Sequence, residues 1–212
     1  LDHVDFIEKV KTQQRNWIGR SEGAMLRFQV AENKEYFWVY TTRPDTVYGV
    51  SYMVLAPEHP LVERLIAGTE YEEKVRAFIT KVQKLSEVDR SSSELEKEGI
   101  YIGAHAINPV NGKEVPILIG NYVIYEYGTG AVMAVPSHDQ RDFEYAQVHN
   151  IPMIQVIEGR DVSEHAFEKQ DYLGKGCKLM NSEEFTGLTV EEAKEAITCK
   201  LEKMGVARRK TN

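Results

Sequence analysis

Cysteine is nearly missing from this chain of 212 residues. Cys177 and Cys199 are the whole complement, and they make neither a CxxC pair nor a disulfide framework. That points to a reducing compartment, and a cytoplasmic location is expected. Long apolar runs are missing as well. None approaches the roughly 18 residues that cross a bilayer, so no membrane partner is expected. No basic-then-apolar leader opens the chain, which argues against a secretory signal in the segment as given. It begins at Leu1 and stops abruptly at Asn212, which reads as a piece of a longer protein. Positive charge is in deficit: 26 Lys and Arg stand against 33 Asp and Glu, for a net charge of −7. This disfavours a wide electrostatic grip on nucleic acid, while leaving room for capture of a short strand end in a local site. Internal repeats and low-complexity tracts are absent. What remains is the balance of a folded globular chain, 42% apolar and 28% charged, of a length that suits one domain.

Several signatures are also lacking. There is no GxxxxGK[ST], no GxGxxG and no HExxH, and the six histidines show no metal-ligand spacing. No metal and no cofactor are therefore expected. Gly19-Arg20-Ser21-Glu22-Gly23 has the form G-x-S-x-G. A nucleophile elbow needs a buried strand before its serine and a helix after it. Here a polar, helix-like segment precedes and a strand follows, so a plain turn is the better reading than a serine hydrolase.

The first 16 residues carry Val4, Ile7 and Val10 at helical spacing. The aromatic and β-branched runs Met25 to Val30 and Tyr36 to Tyr40 predict a hairpin. Strands are predicted at Ser51 to Ala56, Ile117 to Ile119, Tyr122 to Tyr125, Ala131 to Val135 and Met153 to Ile157. Asn111-Gly112 predicts a type I′ hairpin turn. Helices are predicted over Pro60 to Ile66, from a Thr69/Glu72 capping box through Leu85, over Ser137 to His149, and from a Thr189/Glu192 box to Gly205. The serine-rich stretch Asp89 to Glu98 reads as a surface loop. Close hairpins with helices grouped between them make this α+β, with a curved sheet or small barrel.

Two clusters carry chemistry. Thr41-Thr42-Arg43-Pro44-Asp45-Thr46 follows an apolar strand, and Pro44 forces Arg43 out of the helical region. On composition alone a polar loop is the plainer reading. The functional one is a set of small donors suited to an ester or a phosphate. Gly128-Thr129-Gly130 leads through Ala131 and Pro136 to Ser137-His138-Asp139-Gln140-Arg141-Asp142. With Ser137 as N-cap, Asp139 and Asp142 lie at i and i+3 on one helical face. Two like charges there call for a cation between them. Arg141 is one candidate and a ligand ammonium is the other.

These clusters, with Tyr48-Gly49, the run Leu55 to Val62, and Arg15 to Gly23, together resemble the editing domain of bacterial-type leucyl-tRNA synthetases. That domain is the first connective peptide, inserted into the catalytic Rossmann domain, and the resemblance covers nearly the whole chain. Valyl and isoleucyl relatives share a threonine-rich loop and a GTGAV segment, but His138 to Asp142 and Met133 look leucyl. The resemblance implies a β-barrel-like sheet with flanking helices. It implies one editing domain over residues 1–212, with 1–20 and 205–212 as hinges toward the catalytic domain. HIGH and KMSKS signatures are absent, so no synthetic activity is expected.

The implied activity is hydrolysis of the ester between a wrong amino acid and the terminal adenosine of tRNA-Leu. The partners are that adenosine, a norvaline, isoleucine or methionine moiety, and the rest of the synthetase chain. A leucine pocket rejects such near-isosteres by only about 1–3 kcal/mol, which is why a second sieve is needed. Carried over by motif, Asp142 holds the substrate ammonium and Asp139 adds to the negative field. Thr46 gates against leucine, and Thr41 and Thr42 bond the ester or the water. Arg43 contacts the nucleotide backbone and Tyr127 the adenosine. Met133, Val135 and His138 line the pocket. No general base is evident. A non-catalytic module that merely holds an acceptor end could use the same loop, but the set Thr42, Thr46 and Asp142 favours hydrolysis.

Overall fold

The computed structural model describes residues 22–126, 128–172 and 174–211. The helix expected over the first 16 residues, the hinge 1–20, Ser21 and Tyr127 lie outside them. Strands β1 (Glu22–Val30) and β2 (Tyr36–Thr41) form the expected hairpin, with Leu26 opposite Val39 and Phe28 opposite Phe37. A short 3₁₀ helix, Pro44–Gly49, then delivers the chain to β3 (Tyr52–Leu55). Helices α1 (Pro60–Ile66), α2 (Glu72–Val82) and α3 (Glu87–Ser91) follow. The second hairpin is β4 (Gly99–Ile107) with β5 (Glu114–Gly120). Next come β6 (Ala131–Ala134), α4 (Gln140–Val148), α5 (Lys169–Tyr172), α6 (Val190–Lys203) and β7 (Ala207–Thr211).

The strands join in one mixed sheet, in the order β2-β1-β4-β5-β3-β6, with β7 on β1. All pairs are antiparallel except β3 with β5, which the excursion through the first three helices and β4 separates in sequence. Twist brings the two ends of the path, β2 and β6, close together, yet no hydrogen-bond ladder joins them. The fold is thus α+β as expected, but the barrel is open. β1 serves two partners on one side: Glu22 to Leu26 pair with β7, and Gln29 and Val30 pair with β4.

Alternation along β3 sets the two sides of the core. Met53 and Leu55 join the main core, with Leu26, Phe28 and the α6 stripe Val190, Ala193, Ile197 and Leu201. Tyr52 and Val54 face the other way and pack on Ala134, Tyr145 and Ala146, which seats α4 against the back of the sheet.

Several local expectations shift. Helix α2 starts at Glu72, because Thr69 and Glu72 close the turn before it: Glu72 accepts from Gly68 N–H, and Thr69 Oγ1 from Tyr71 N–H. At Asn111-Gly112 only Gly112 has positive φ, and the turn is wider because Asn108 bonds back to Lys113 and Gly112. Tyr122 to Tyr125 is a run of turns, not a strand. Met153 to Ile157 forms only one bridge, Ile157 with Leu179. The amides of Val156 and Ile157 that a strand would give a neighbour donate instead to His138.

The stretch expected as a loop from Asp89 begins inside α3, which Ser86 and Asp89 cap reciprocally. Arg90 is buried there. Its Nε donates to Asn121 O at 3.0 Å, its Nη2 to Val123 O at 2.8 Å, and the guanidinium pairs with Glu58. Arg90→Met should therefore lower unfolding free energy by about 2–4 kcal/mol, because two carbonyls and a carboxylate lose their donor together. Urea unfolding of wild type and variant measures this, and a change below about 0.5 kcal/mol would remove Arg90 as an anchor.

Candidate functional site

The threonine loop is built by its own short bonds. Thr41 Oγ1 accepts from Arg43 N–H at 2.9 Å, which tightens the end of β2. Arg43 has φ −126° and ψ 57°, outside the helical region as the following proline demands. Pro44 then opens the 3₁₀ helix. Thr46 is buried, and its hydroxyl donates to Arg43 O at 2.9 Å. That hydroxyl is satisfied inside the loop, so Thr46 is held at a fixed depth. Thr42, by contrast, is exposed and borders a groove of about 540 Å³ that α6 residues and β7 also line.

Two of the expected site residues have partners inside the protein. Arg43 forks onto Asp45, Nε to Oδ1 at 3.2 Å and Nη2 to Oδ2 at 2.8 Å, and its guanidinium lies 5.0 Å from the Tyr172 ring centre. Asp45 is fully buried, so this pair shapes the loop from beneath. His138 is buried with both nitrogens engaged. Nδ1–H donates to Phe167 O at 2.9 Å, while Nε2 accepts from Val156 N–H at 3.0 Å and Ile157 N–H at 3.2 Å. Burial pushes its pKa down to about 4, against the pull of the Phe167 carbonyl. A neutral His138 with no free nitrogen is a structural tie between the start of α4 and the 156–167 segment.

The loop and the glycine segment meet because β3 and β6 are antiparallel neighbours, with Tyr52 opposite Ala134 and Met53 opposite Met133. The chain closes in just before that ladder. A Cβ on Gly49 would lie 3.1 Å from Val135 Cγ1, Val156 Cγ2 and Ile154 O, so glycine allows the 3₁₀ helix to rest on Val135. Val135 is buried and Met133 half-buried.

Helix α4 begins two residues later than a Ser137 cap would place it. Asp139, not Ser137, is the N-cap, and its Oδ1 accepts from Arg141 N–H at 2.9 Å and Asp142 N–H at 3.2 Å. A carboxylate competes better than a hydroxyl for the positive end of a helix. Ser137 is instead fully buried, packed before the helix. Asp142 turns back, and its Oδ2 accepts from Val135 N–H at 3.0 Å. Its Oδ1 has no hydrogen-bond donor among the described residues. Burial first, and the neighbouring Asp139 second, raise its pKa to about 7, while Val135 N–H, Lys97 and Arg141 oppose them.

Asp142, Asp139, Val135 and Met133 thus share one corner, with Thr41 and Thr46 on the loop that β3 ties to it. Arg43 and His138 are joined through Tyr172, whose ring lies 6.3 Å from the His138 ring. Sequence reading missed Asp45, Tyr172 and Lys97. Asp45 stood in the motif beside Arg43, but Tyr172 and Lys97 reach the corner only through tertiary packing. Among the described residues no group of three or more His, Cys, Asp or Glu could hold a metal ion, and no helix is long and apolar enough to cross a membrane.

The family model for the leucyl-tRNA synthetase editing domain matches residues 15–202. A leucine–tRNA ligase of Oleidesulfovibrio alaskensis is 48% identical over 207 residues, which is 97% of this chain and 25% of that protein. A solved ternary complex of Agrobacterium radiobacter K84 agnB2 LeuRS with tRNA and LeuAMS is similar at TM-score 0.70 and 30% identity, over 97% of this chain and 22% of that one. The chain thus spans about a quarter of the length of these relatives. It belongs to the family of leucyl-tRNA synthetase editing domains.

Proposed function

We propose that residues 1–212 act as one editing domain, which hydrolyses the ester of a non-leucine amino acid on the terminal adenosine of tRNA-Leu and spares leucine. One observation carries the reading. Asp142 is a half-buried carboxylate with one oxygen held by Val135 N–H and the other unclaimed among the described residues, beside a loop whose threonine is locked in place. Such a group takes an ammonium, and the α-ammonium of an aminoacyl ester is the cation that the family supplies. Asp139 strengthens the field and keeps the helix start in register. Thr46, with its hydroxyl turned to Arg43 O, presents bulk more than chemistry, which suits a stop against the γ-branch of leucine. Thr41, Thr42 and backbone donors orient the ester and the attacking water, and the substrate's ribose hydroxyl assists. Met133, Val135 and Tyr127 complete the walls around amino acid and adenosine. Arg43 and His138 serve by holding the loop and the α4 start in place. Norvaline, isoleucine and methionine are the clients.

The direct test compares deacylation of isoleucyl-tRNA-Leu and leucyl-tRNA-Leu by a complete leucyl-tRNA synthetase carrying this sequence. Binding of the mischarged tRNA without its hydrolysis would leave a holding module and end the hydrolase reading.

Asp142→Asn should cut isoleucyl-tRNA-Leu deacylation by about 10- to 150-fold, the worth of a charge-assisted bond of roughly 1.5–3 kcal/mol. The same change should stabilise the fold at alkaline pH. A carboxyl whose folded pKa lies above its unfolded value loses stability for the protein as pH rises from about 4 through about 7. The neutral amide escapes that loss, so urea midpoints should rise above wild type near pH 8 and converge near pH 4. A variant that loses activity and stability together would mark Asp142 as structural only.

The free-enzyme profile should follow the same group. kcat/KM for deacylation should fall on the acid side of about pH 7, tending to tenfold per unit, because protonated Asp142 cannot hold an ammonium. A flat profile between pH 5.5 and 8 would exclude it as the anchor.

Thr46→Ala should release hydrolysis of leucyl-tRNA-Leu by tens of fold, as room for one branch carbon is worth about 1–3 kcal/mol. Hydrolysis of the straight-chain and smaller clients should change much less. Equal slowing of every charged tRNA, with leucine still spared, would make Thr46 a catalytic group and not a gate.

A further inference from the structure

The side of β2, β1 and β7 turned away from the core collects rings and cations. Leu26, Phe28 and Val39 point into the core, so alternation puts their neighbours outside. These are Arg27 on β1 and Tyr36, Trp38 and Tyr40 on β2, with Trp38 opposite Arg27. On β7 they are Arg208 and Lys210, opposite Met25 and Gly23. The Arg27 guanidinium lies 4.2 Å from the Tyr36 ring centre, and that of Arg208 lies 4.5 Å from the Trp38 ring centre. None of the three cations makes an ion pair with a described residue, and Arg27 Nε has no hydrogen-bond partner among them. The only carboxylate on these strands is Glu22, which lies on the opposite side, bordering the groove beside α6. Arg209 turns to that side as well, and there Glu195 and Glu202 neutralise it.

We propose that this outer face holds the ribose–phosphate backbone of tRNA next to its acceptor end. That the RNA is tRNA-Leu rests on the editing reading above, whereas the pattern of charge and rings does not. The chain carries a net charge of −7, so most of its surface repels phosphate. A face with three unneutralised cations and no carboxylate is the local exception, and its complement is a polyanion. The rings bear on the choice too. Trp38 and Tyr40 are half-buried, and Arg208 covers Trp38, so the face offers charge over aromatic planes and little bare apolar area. A dry protein interface wants the reverse, with charge depleted at its centre. A guanidinium laid flat on a ring keeps its in-plane N–H groups free for phosphate oxygens. Exposed Tyr36 offers a stacking surface that tolerates any base. Position fits as well: β2 runs directly into Thr41 and the threonine loop, so RNA lying along β2 ends at the corner where the ester is handled.

The test uses the complete synthetase with Arg208→Gln/Lys210→Gln together, and with Arg208→Lys alone. Binding of uncharged tRNA-Leu is followed by fluorescence anisotropy over a range of KCl concentrations. The double variant should bind about 5- to 30-fold more weakly at low salt, and the slope of log affinity against log salt should fall by about 1.5, for two lost phosphate contacts. Arg208→Lys should keep the wild-type slope. KM for isoleucyl-tRNA-Leu deacylation should rise with Kd while kcat stays near wild type. The unfolding midpoint of the double variant should match wild type, because exposed side chains outside any packed interface change stability little. An unchanged affinity, or a weaker affinity with an unchanged salt slope, overturns the proposal. So does a lowered unfolding midpoint, which would show this face packed against the rest of the synthetase. If the slope falls as expected but the wild type deacylates nothing, the RNA-binding face stands and the editing reading falls.

Discussion

The bond from Val135 N–H to Asp142 Oδ2 ties the end of β6 to the first turn of α4. Much of the corner depends on it. It takes one oxygen of the carboxylate. It also reports a constraint: a carboxylate placed largely out of water and one turn from Asp139 is costly to ionise. A charged anchor at such a place needs compensation, and the structure supplies it from three directions: a backbone amide, an exposed arginine and a half-buried lysine.

The second support is a buried knot on the other side of the corner. Arg43, Asp45, Tyr172, His138 and Phe167 form a continuous set of ion pair, edge-on and tilted ring contacts and a backbone bond. An ion pair in such a place adds little net stability against an apolar alternative, but it fixes geometry. Here it sets the height of the threonine loop against the 156–172 region. His138 contributes by taking two amides that would otherwise seek a sheet neighbour, which is why Val156 and Ile157 do not extend the sheet. Polar residues of the motif thus help to build the frame, with Thr46 bonded to Arg43 O, Arg43 paired with Asp45 and His138 tied to the 156–167 segment.

Much of this was legible along the chain. Alternating apolar residues in Met25 to Val30 and Tyr36 to Tyr40, the Thr189/Glu192 box and the α6 stripe depend on contacts within a few residues, and they folded as their periodicity required. The misreadings have local causes too. Tyr122 to Tyr125 has the composition of a strand, but it is a run of turns whose Val123 carbonyl goes to Arg90. The serine-rich stretch reads as a surface loop from its first residues because nothing in it announces that Arg90 is buried against Asn121 and Val123.

By itself, then, the sequence determined the α+β class, the family, and the short-range devices: the proline-stiffened threonine loop, the glycine turn and the paired aspartates. These are set by dihedral restriction, periodicity and spacing, which need no distant partner. Only the tertiary structure decided that Arg43 and His138 find their partners in the core, that the barrel stays open between β2 and β6, and that Tyr172 packs against both of them. The reason is physical. Burial and electrostatic field at one atom are sums over groups far apart in the chain, and no local pattern of residues encodes that sum.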